Sequence, residues 1–234
     1  MSRKLDWIFL AACALLIWGA FRVDAPVRAA VVASQGKDWK KSADYRIHSA
    51  VRVFGDWPPL MAGCLVALAL ARLLKSRRWM RVIAAAMIAS TLAGIAANAS
   101  RLTTGRTRPK ESPKIEQGFY GPWHEGHLLV GQPAYNSFPS GHTATAFGLA
   151  AVILFASPAV GVFALAGAGL VAWSSIVTGN HHPSDVTVSV ILSFAVAWFV
   201  WRWMSGRGGE WIERVLRIRA GQKNIRDHPD TESA

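Results

Sequence analysis

Three short polar stretches of this sequence contain residue types that together suit phosphoryl chemistry. The first contains Arg101 and Arg108, the second is Pro139–His142, and the third contains His181 and Asp185. Arginine binds phosphate oxygens through a planar, bidentate fork and stays charged at any relevant pH. Histidine acts as a nucleophile or carries a proton. These residue types predict a site that binds a phosphate group and breaks one of its bonds.

The stretch Pro139–His142 is typical of the start of a helix that binds an anion. Ser140 is a favourable N-cap residue, and Gly141 lets the backbone approach a ligand. The first N–H groups of a helix have no intrahelical partner, and the helix dipole adds positive potential there. His142 then stands beside the anion site as a proton carrier. Pro-Ser-Gly is also an ordinary loop-to-helix junction, so this stretch needs the support of the other two.

His181 and Asp185 are four residues apart, so a helix or turn lets the carboxylate reach the imidazole. Such a carboxylate fixes the tautomer and leaves the other ring nitrogen free as a nucleophile. His142 then protonates the leaving oxygen and later activates water. Taken singly, each stretch is more often structural: a pair of arginines anchors a membrane helix, and His-Pro-Ser-Asp forms a turn and an N-cap. Only their combination favours a reactive site.

The composition predicts a membrane protein. Of the 234 residues, 52% are hydrophobic and 17% are charged, whereas a soluble domain carries about 25% charged residues. Long apolar runs, typical of membrane spans, lie at 5–21, 58–74, 82–97, 143–156, 160–177 and 186–204. They predict an all-α fold, a six-transmembrane-helix bundle formed by residues 1–208. Residues 209–234 are expected to form a basic interfacial helix and a disordered polar tail. Residues 39–54 are expected to form a second interfacial helix; ordinary basic connecting segments are the alternative for both stretches.

The net charge of +12 is explained better by the membrane than by nucleic acid. The basic residues flank the apolar runs, as in the short cluster at 75–81, which suits topology signals and anionic headgroups. This cluster indicates that residues 75–81 and both termini are cytoplasmic in a bacterial inner membrane. Cys13 and Cys64 lie inside apolar runs, so neither a disulfide nor a thiolate metal site is expected.

The order of the spans places the three polar stretches on one membrane face. The third span ends at Arg101, the fourth begins at Ser140, and the fifth ends towards His181. Unrelated motifs would fall on opposite faces about half the time. With the termini inside, the shared face is the outer, periplasmic one.

Together the three stretches resemble the signature of the type 2 phosphatidic acid phosphatase superfamily. That superfamily includes lipid phosphate phosphatases, undecaprenyl diphosphate phosphatases, lipid A phosphatases, glucose-6-phosphatases and the soluble vanadium haloperoxidases. The membrane spans and small size disfavour the haloperoxidase-like alternative. The matching pattern is Arg101-x6-Arg108-Pro109, then Pro139–His142, then Ser174-x6-His181-x3-Asp185.

The resemblance implies a phosphatase that needs no metal and no other cofactor. In it, His181 is the nucleophile, Asp185 orients His181, and His142 is the general acid and base. The resemblance also implies that the substrate phosphate is bound by four residues: Arg101, Arg108, Ser140 and Gly141.

The sequence departs from the family pattern at one position. The third motif of the family reads Ser-Arg, whereas this chain has Ser174-Ser175. The loss of one charge-assisted donor predicts a rate lower by about 10²–10³-fold, unless another residue supplies it. The candidates are Arg106, Lys110, Lys114 and His182.

The expected substrate is a phosphorylated membrane lipid, and the expected environment is the bilayer. Tryptophans near the span ends suit headgroup-level anchoring, and residues 110–137 suit a lid that selects the headgroup. The lipid types considered are phosphatidic acid, phosphatidylglycerophosphate, undecaprenyl diphosphate and lipid A. His124 and His127 alone make a weak metal site. No oligomeric state is predicted. The alternative function, favoured by Ser175, is a weak or silent relative that binds or moves phosphorylated lipids.

Overall fold

The computed structural model describes residues 3–112 and 114–216, and most of these residues are helical. A two-stranded hairpin, β1 (Trp123–His124) and β2 (His127–Leu128), lies between the fourth and fifth helices. The expected helical class is therefore confirmed. The helices are α1 (Arg3–Ser34), α2 (Ala43–Val53), α3 (Trp57–Leu73), α4 (Arg77–Thr104), α5 (Gly141–Ala156), α6 (Pro158–Val177), α7 (Pro183–Met204) and α8 (Arg207–Val215).

The expected count of six spans is not confirmed. Within the described residues, α1, α4, α6 and α7 are long and apolar enough to cross a membrane, and α2 with α3 adds a fifth span if this pair, bent by 58°, counts as one. The fourth apolar run, 143–156, forms α5, which has 16 residues. At 1.5 Å per residue such a helix is about 24 Å long, shorter than a hydrocarbon core of about 30 Å.

The short helix α5 lies at the centre of the fold. It packs against α4, α6 and α7, and small residues make these contacts close, as in membrane bundles. Ala89 and Ala93 of α4 are fully buried, and a Cβ at Gly148 would lie 3.0 Å from the Ala89 carbonyl oxygen. Ser90 Oγ also donates to the Thr145 carbonyl at 2.9 Å. This packing fixes the position of the first turn of α5.

The two expected interfacial segments have different outcomes. Helix α2 lies within the stretch 39–54 and packs against α6. Its Val51 joins an apolar cluster with Ala146 and Val171, although Ile47 is exposed. The second segment is helical to Val215 as α8. Its remaining residues, and the expected disordered tail, lie outside the described residues.

Candidate active site

Backbone contacts bring the three polar stretches together. Arg101, in the last turn of α4, donates from Nε to the Pro139 carbonyl at 2.8 Å. The Ser140 amide, directly before α5, donates to the Asp185 carbonyl at 3.3 Å. Residues at the end of α4, the start of α5 and the start of α7 therefore meet at one end of the bundle.

His181 lies in this meeting point and is 1% exposed. Its Nδ1 donates to the Ser137 carbonyl at 2.7 Å, and this contact places the ring proton on Nδ1. Burial lowers the pKa of His181 to about 3, although the Asp185 carboxylate acts in the opposite direction. The ring is thus neutral near pH 7. Its Nε2, which has no hydrogen-bond partner among the described residues, carries the lone pair that a nucleophile needs.

The Asp185 carboxylate is 3.6 Å from His181 Nδ1, which is too long for a hydrogen bond. Its oxygens are held elsewhere. Oδ2 accepts from Ser137 Oγ at 2.6 Å and from the His182 amide at 2.7 Å, and Oδ1 pairs with Arg106. The contact with the His182 amide caps α7. Ser137 and Asp185 thus hold the loop around His181 together, and direct orientation of the ring by Asp185 stays a prediction.

Arg106 and Asp24 form a buried ion pair behind Asp185. Arg106 Nη2 donates to Asp24 Oδ2 at 2.6 Å, and Asp24 also accepts from the Ser184 amide at 2.9 Å. The Arg106 guanidinium is further enclosed by three aromatic rings at 4.6–5.7 Å from their centroids: Phe21, Phe119 and Phe138. Arg106 is therefore not the donor that the third motif lacks.

Asp24 is not among the residues predicted from the sequence, although a signal for it exists. A carboxylate within a membrane helix is costly and usually has a named partner or a function. The first apolar run of the sequence ends at residue 21, whereas α1 continues through Asp24 to Ser34. Asp24 therefore lies inside a helix that is long enough to cross a membrane.

Arg101 and Arg108 differ from Arg106 because no carboxylate pairs with them in the described residues. Arg108 Nη1 donates to Asn180 Oδ1 at 3.0 Å and Nη2 to the Asn136 carbonyl at 3.2 Å. Arg108 Nε and Arg101 Nη2 are buried without a partner. Burial lowers the pKa of Arg108, yet a guanidinium remains charged near pH 7. Buried donors that lack a partner are costly, and an anion would satisfy them.

The start of α5 lies against Arg101. Ser140 is confirmed as the N-cap, because its Oγ accepts from the Thr143 amide at 3.4 Å. A Cβ at Gly141 would lie 3.1 Å from Arg101 Nη2, so a side chain there would push against the guanidinium. The Ser140 hydroxyl also accepts from Thr143 Oγ1 at 2.9 Å. Phosphate binding by Ser140 and Gly141 stays a prediction.

His142 has a partner that the sequence did not suggest. Its Nε2 is 2.6 Å from Oδ1 of Asp56, the residue before α3. A Cβ at Gly55 would lie 2.9 Å from His142 Cβ, so glycine allows the turn between α2 and α3 to lie against the first turn of α5. No motif spacing connects Asp56 with His142, which is 86 positions further along the chain.

The remaining candidates for the missing donor are used differently. Ser175 itself is buried, and its Oγ donates to the Val171 carbonyl at 2.9 Å within α6. Lys110 Nζ donates to Asn180 Oδ1 at 3.0 Å, the same atom that Arg108 contacts. His182 Nε2 contacts the Thr107 carbonyl at 3.1 Å. Lys114 is exposed.

The segment expected to form a lid contacts the end of the bundle at Phe119, whose ring centroid lies 4.6 Å from the Arg106 guanidinium; its role as a lid stays a prediction. His124 and His127 face each other across the β1–β2 hairpin. Among the described residues, no group of three or more His, Cys, Asp or Glu side chains is placed to hold a metal ion. The hairpin is joined to the end of α4 where the Tyr120 amide donates to the Gly105 carbonyl at 3.3 Å.

A helical bundle with a buried neutral histidine and unpaired arginines at one end defines a candidate phosphoryl-transfer site. The family model of the PAP2 superfamily matches residues 79–208, more than half of the chain. The chain belongs to the PAP2 superfamily, as its resemblance indicated.

One curated relative is similar over part of this region. It is the undecaprenyl-diphosphatase BcrC of Bacillus subtilis (strain 168), which is 30% identical over 99 residues. The match covers 41% of this chain and about half (49%) of the relative. No solved structure matches the chain.

Proposed function

We propose that this protein is an integral membrane phosphatase that hydrolyses a phosphate or diphosphate ester of a membrane lipid. The observation that supports it most is the position of His181, a buried neutral imidazole whose Nδ1 is bound to the Ser137 carbonyl. Beside it, Arg101 and Arg108 keep buried N–H groups without a protein partner. A nucleophile next to unpaired guanidinium donors is the minimum that phosphoryl transfer needs.

In the first step, the lone pair of His181 Nε2 attacks the phosphorus and the bond from phosphorus to the leaving oxygen breaks. A phosphohistidine forms and the lipid alcohol, or a lipid monophosphate from a diphosphate, leaves. Burial lowers the pKa of His142 to about 4, and the negative charge of a substrate phosphate raises it again. His142 in its doubly protonated form passes one proton to the leaving oxygen, while its Nε2 stays 2.6 Å from Asp56 Oδ1. Arg101 and Arg108 stabilise the negative charge that spreads over the equatorial oxygens.

In the second step, water attacks the phosphorus and the bond to His181 Nε2 breaks. The pair of His142 and Asp56 takes the proton of that water, so both the pair and His181 return to their starting states. Inorganic phosphate leaves. The positive charge in the proposed reaction comes from the arginines, and the chemistry therefore needs no metal ion.

A lipid substrate is proposed because the reactive end of the bundle is continuous with helices that are long and apolar enough to cross a membrane. The similarity to an undecaprenyl-diphosphatase favours a polyprenyl diphosphate over the other lipid types. We place residues 1–208 in one membrane domain with cytoplasmic termini, and the site on the outer face of a bacterial inner membrane. The segment 110–137 then lies over the headgroup.

Phosphate release from a panel of lipids tests this function. The panel contains undecaprenyl diphosphate, phosphatidic acid, phosphatidylglycerophosphate and lipid A, with the full chain in detergent micelles and EDTA present. We expect release from at least one lipid, highest for undecaprenyl diphosphate, and a loss of at least about 10³-fold in His181→Ala. Equal rates for wild type and His181→Ala would exclude the mechanism.

A second candidate function rests on Ser175. In this candidate the protein binds or moves phosphorylated lipids without hydrolysing them, because Ser175 stands where the family has an arginine. That candidate predicts lipid binding that depends on Arg101 and Arg108, together with no phosphate release from any lipid of the panel.

A further inference from the structure

Arg52, on α2, is an arginine outside the family match that lies at the same site. Its side chain makes no hydrogen bond or ion pair with the described residues, and its Nε is buried. It thus shares with Arg101 and Arg108 the property that distinguishes them from Arg106, a guanidinium N–H group removed from water and left without a protein partner. Such a group is costly unless a ligand accepts from it.

The packing of α2 directs Arg52 towards the site. His48, Arg52 and Gly55 follow the spacing i, i+4 and i+7, which is one face of a helix. His48 Nδ1 is 3.0 Å from Ser174 Oγ on α6. A Cβ at Gly55 would meet Val171 on α6 at 2.6 Å and His142 on α5 at 2.9 Å.

The two ends of this face therefore contact α6 and the first turn of α5, and Arg52 lies between them. The residues of α6 that these ends contact, Val171 and Ser174, lie four positions and one position before Ser175. The face of α2 that contains Arg52 thus covers the part of α6 where the family has its arginine.

The charges around Arg52 agree with this placement. Burial, followed by the charge of Arg52, lowers the pKa of Arg108. Burial, followed by the charge of Arg52, also lowers the pKa of His142, to about 4. Like charges gather at a buried position only at a cost. An anion placed among the three guanidinium groups removes that cost.

We propose that Arg52 is a third phosphate-binding arginine, which supplies from α2 the positive charge that the third motif lacks at Ser175. The inference rests on the proposed phosphatase function for its role in the reaction, but binding of the phosphate group tests it independently. It also explains how a chain with Ser174-Ser175 keeps a full set of positive charges at the site.

The test is the affinity for inorganic phosphate and for orthovanadate, with the full chain in detergent, measured by calorimetry alongside phosphate release. The variant is Arg52→Gln. Its matched control is Arg46→Gln, an exposed arginine on the same helix. We expect Arg52→Gln to weaken phosphate binding about tenfold or more and to lower kcat/KM by about 10²-fold, and Arg46→Gln to leave both unchanged.

Arg52→Lys keeps the charge but loses the planar fork. It tests phosphate binding by Arg52 if Arg52→Gln does not fold. It should weaken phosphate binding by a smaller factor, about threefold to tenfold. Unchanged phosphate affinity in a folded Arg52 variant would overturn the inference, even if wild type is an active phosphatase. A different result is that Arg52→Gln binds phosphate more weakly than wild type while wild type releases phosphate from no lipid. That result would support phosphate binding by Arg52 and overturn the proposed function.

Discussion

Arg106 and Arg108 are two residues apart and occupy opposite environments. Arg106 is enclosed by Asp24, Asp185 and Ser184, all of which accept its N–H groups. Arg108 donates only to neutral oxygens of Asn180 and Asn136, and its Nε has no partner. A paired guanidinium satisfies the fold, whereas an unpaired one is available to a ligand. The pairing, and not the residue type, separates the structural side of the site from the reactive side.

The largest expected effect on stability comes from Arg106→Met. Removal of this cation leaves Asp24 and Asp185 as buried carboxylates without compensation, which costs about 3–5 kcal/mol and lowers Tm by about 10 °C or more. Thermal unfolding in detergent micelles measures the change. The exposed Arg22 of α1 is the control, since Arg22→Gln should change stability by less than about 0.5 kcal/mol. A wild-type Tm for Arg106→Met would show that the buried pair is dispensable.

Arg108→Gln should have the opposite profile. Because Arg108 is desolvated and lies among like charges, its removal leaves Tm unchanged or slightly higher. Phosphate release should fall by about 10²–10³-fold. Measuring both quantities on one preparation separates binding from folding. If Arg108→Gln unfolded the protein as Arg106→Met does, the distinction between the two arginines would be lost.

Asp56→Asn should reduce kcat by an intermediate factor, about 10–10²-fold, because it removes the carboxylate that contacts His142 Nε2. Asp56 lies on the reactive side but binds no phosphate in the proposed reaction, so KM should change little. The pH dependence of kcat should shift as well, which simple misfolding does not produce. An unchanged kcat and pH profile would remove Asp56 from the mechanism.

The smallest expected effect is on the stability of the fold in acid, and it comes from His181. The pKa of His181 is lowered to about 3 by burial, whereas an unfolded histidine titrates near 6.5. Below pH 6.5 the unfolded state therefore binds the additional proton, and stability falls as pH decreases towards 3, by at most about 1.4 kcal/mol per pH unit. His181→Asn, which keeps a donor for the Ser137 carbonyl, should flatten this dependence when Tm is measured between pH 7 and pH 5. An identical slope in both proteins would mean that the pKa of His181 is not lowered in the folded state.

Local spacing was sufficient to find the residues that the signature contains. The intervals from Arg101 to Arg108 and from His181 to Asp185 are short, and the order of the helices brings the three stretches to one end. The apolar runs likewise predicted where the long helices lie. The roles of the signature residues in the reaction stay predictions.

The residues that complete the site could not be found in this way. Asp24 contacts Ser184 across 160 positions, and Asp56 and Arg52 reach the site only because α2 folds back onto α6. Contacts between distant segments depend on how the helices pack, and hydropathy does not show which residues of two helices meet. The bend of 58° between α2 and α3 has the same origin. Together with the short length of α5, 16 residues, it leaves the expected count of six spans unconfirmed.

Trapping of the phosphorylated enzyme tests the central claim most directly. The full chain is mixed with radiolabelled lipid phosphate and quenched in base, in which phosphohistidine survives. The proposed mechanism predicts an acid-labile label on wild type, more label on His142→Ala if water attack becomes limiting, and none on His181→Ala. A label on His181→Ala equal to that on wild type, or phosphate release by a wild type that is never labelled, would contradict nucleophilic attack by His181.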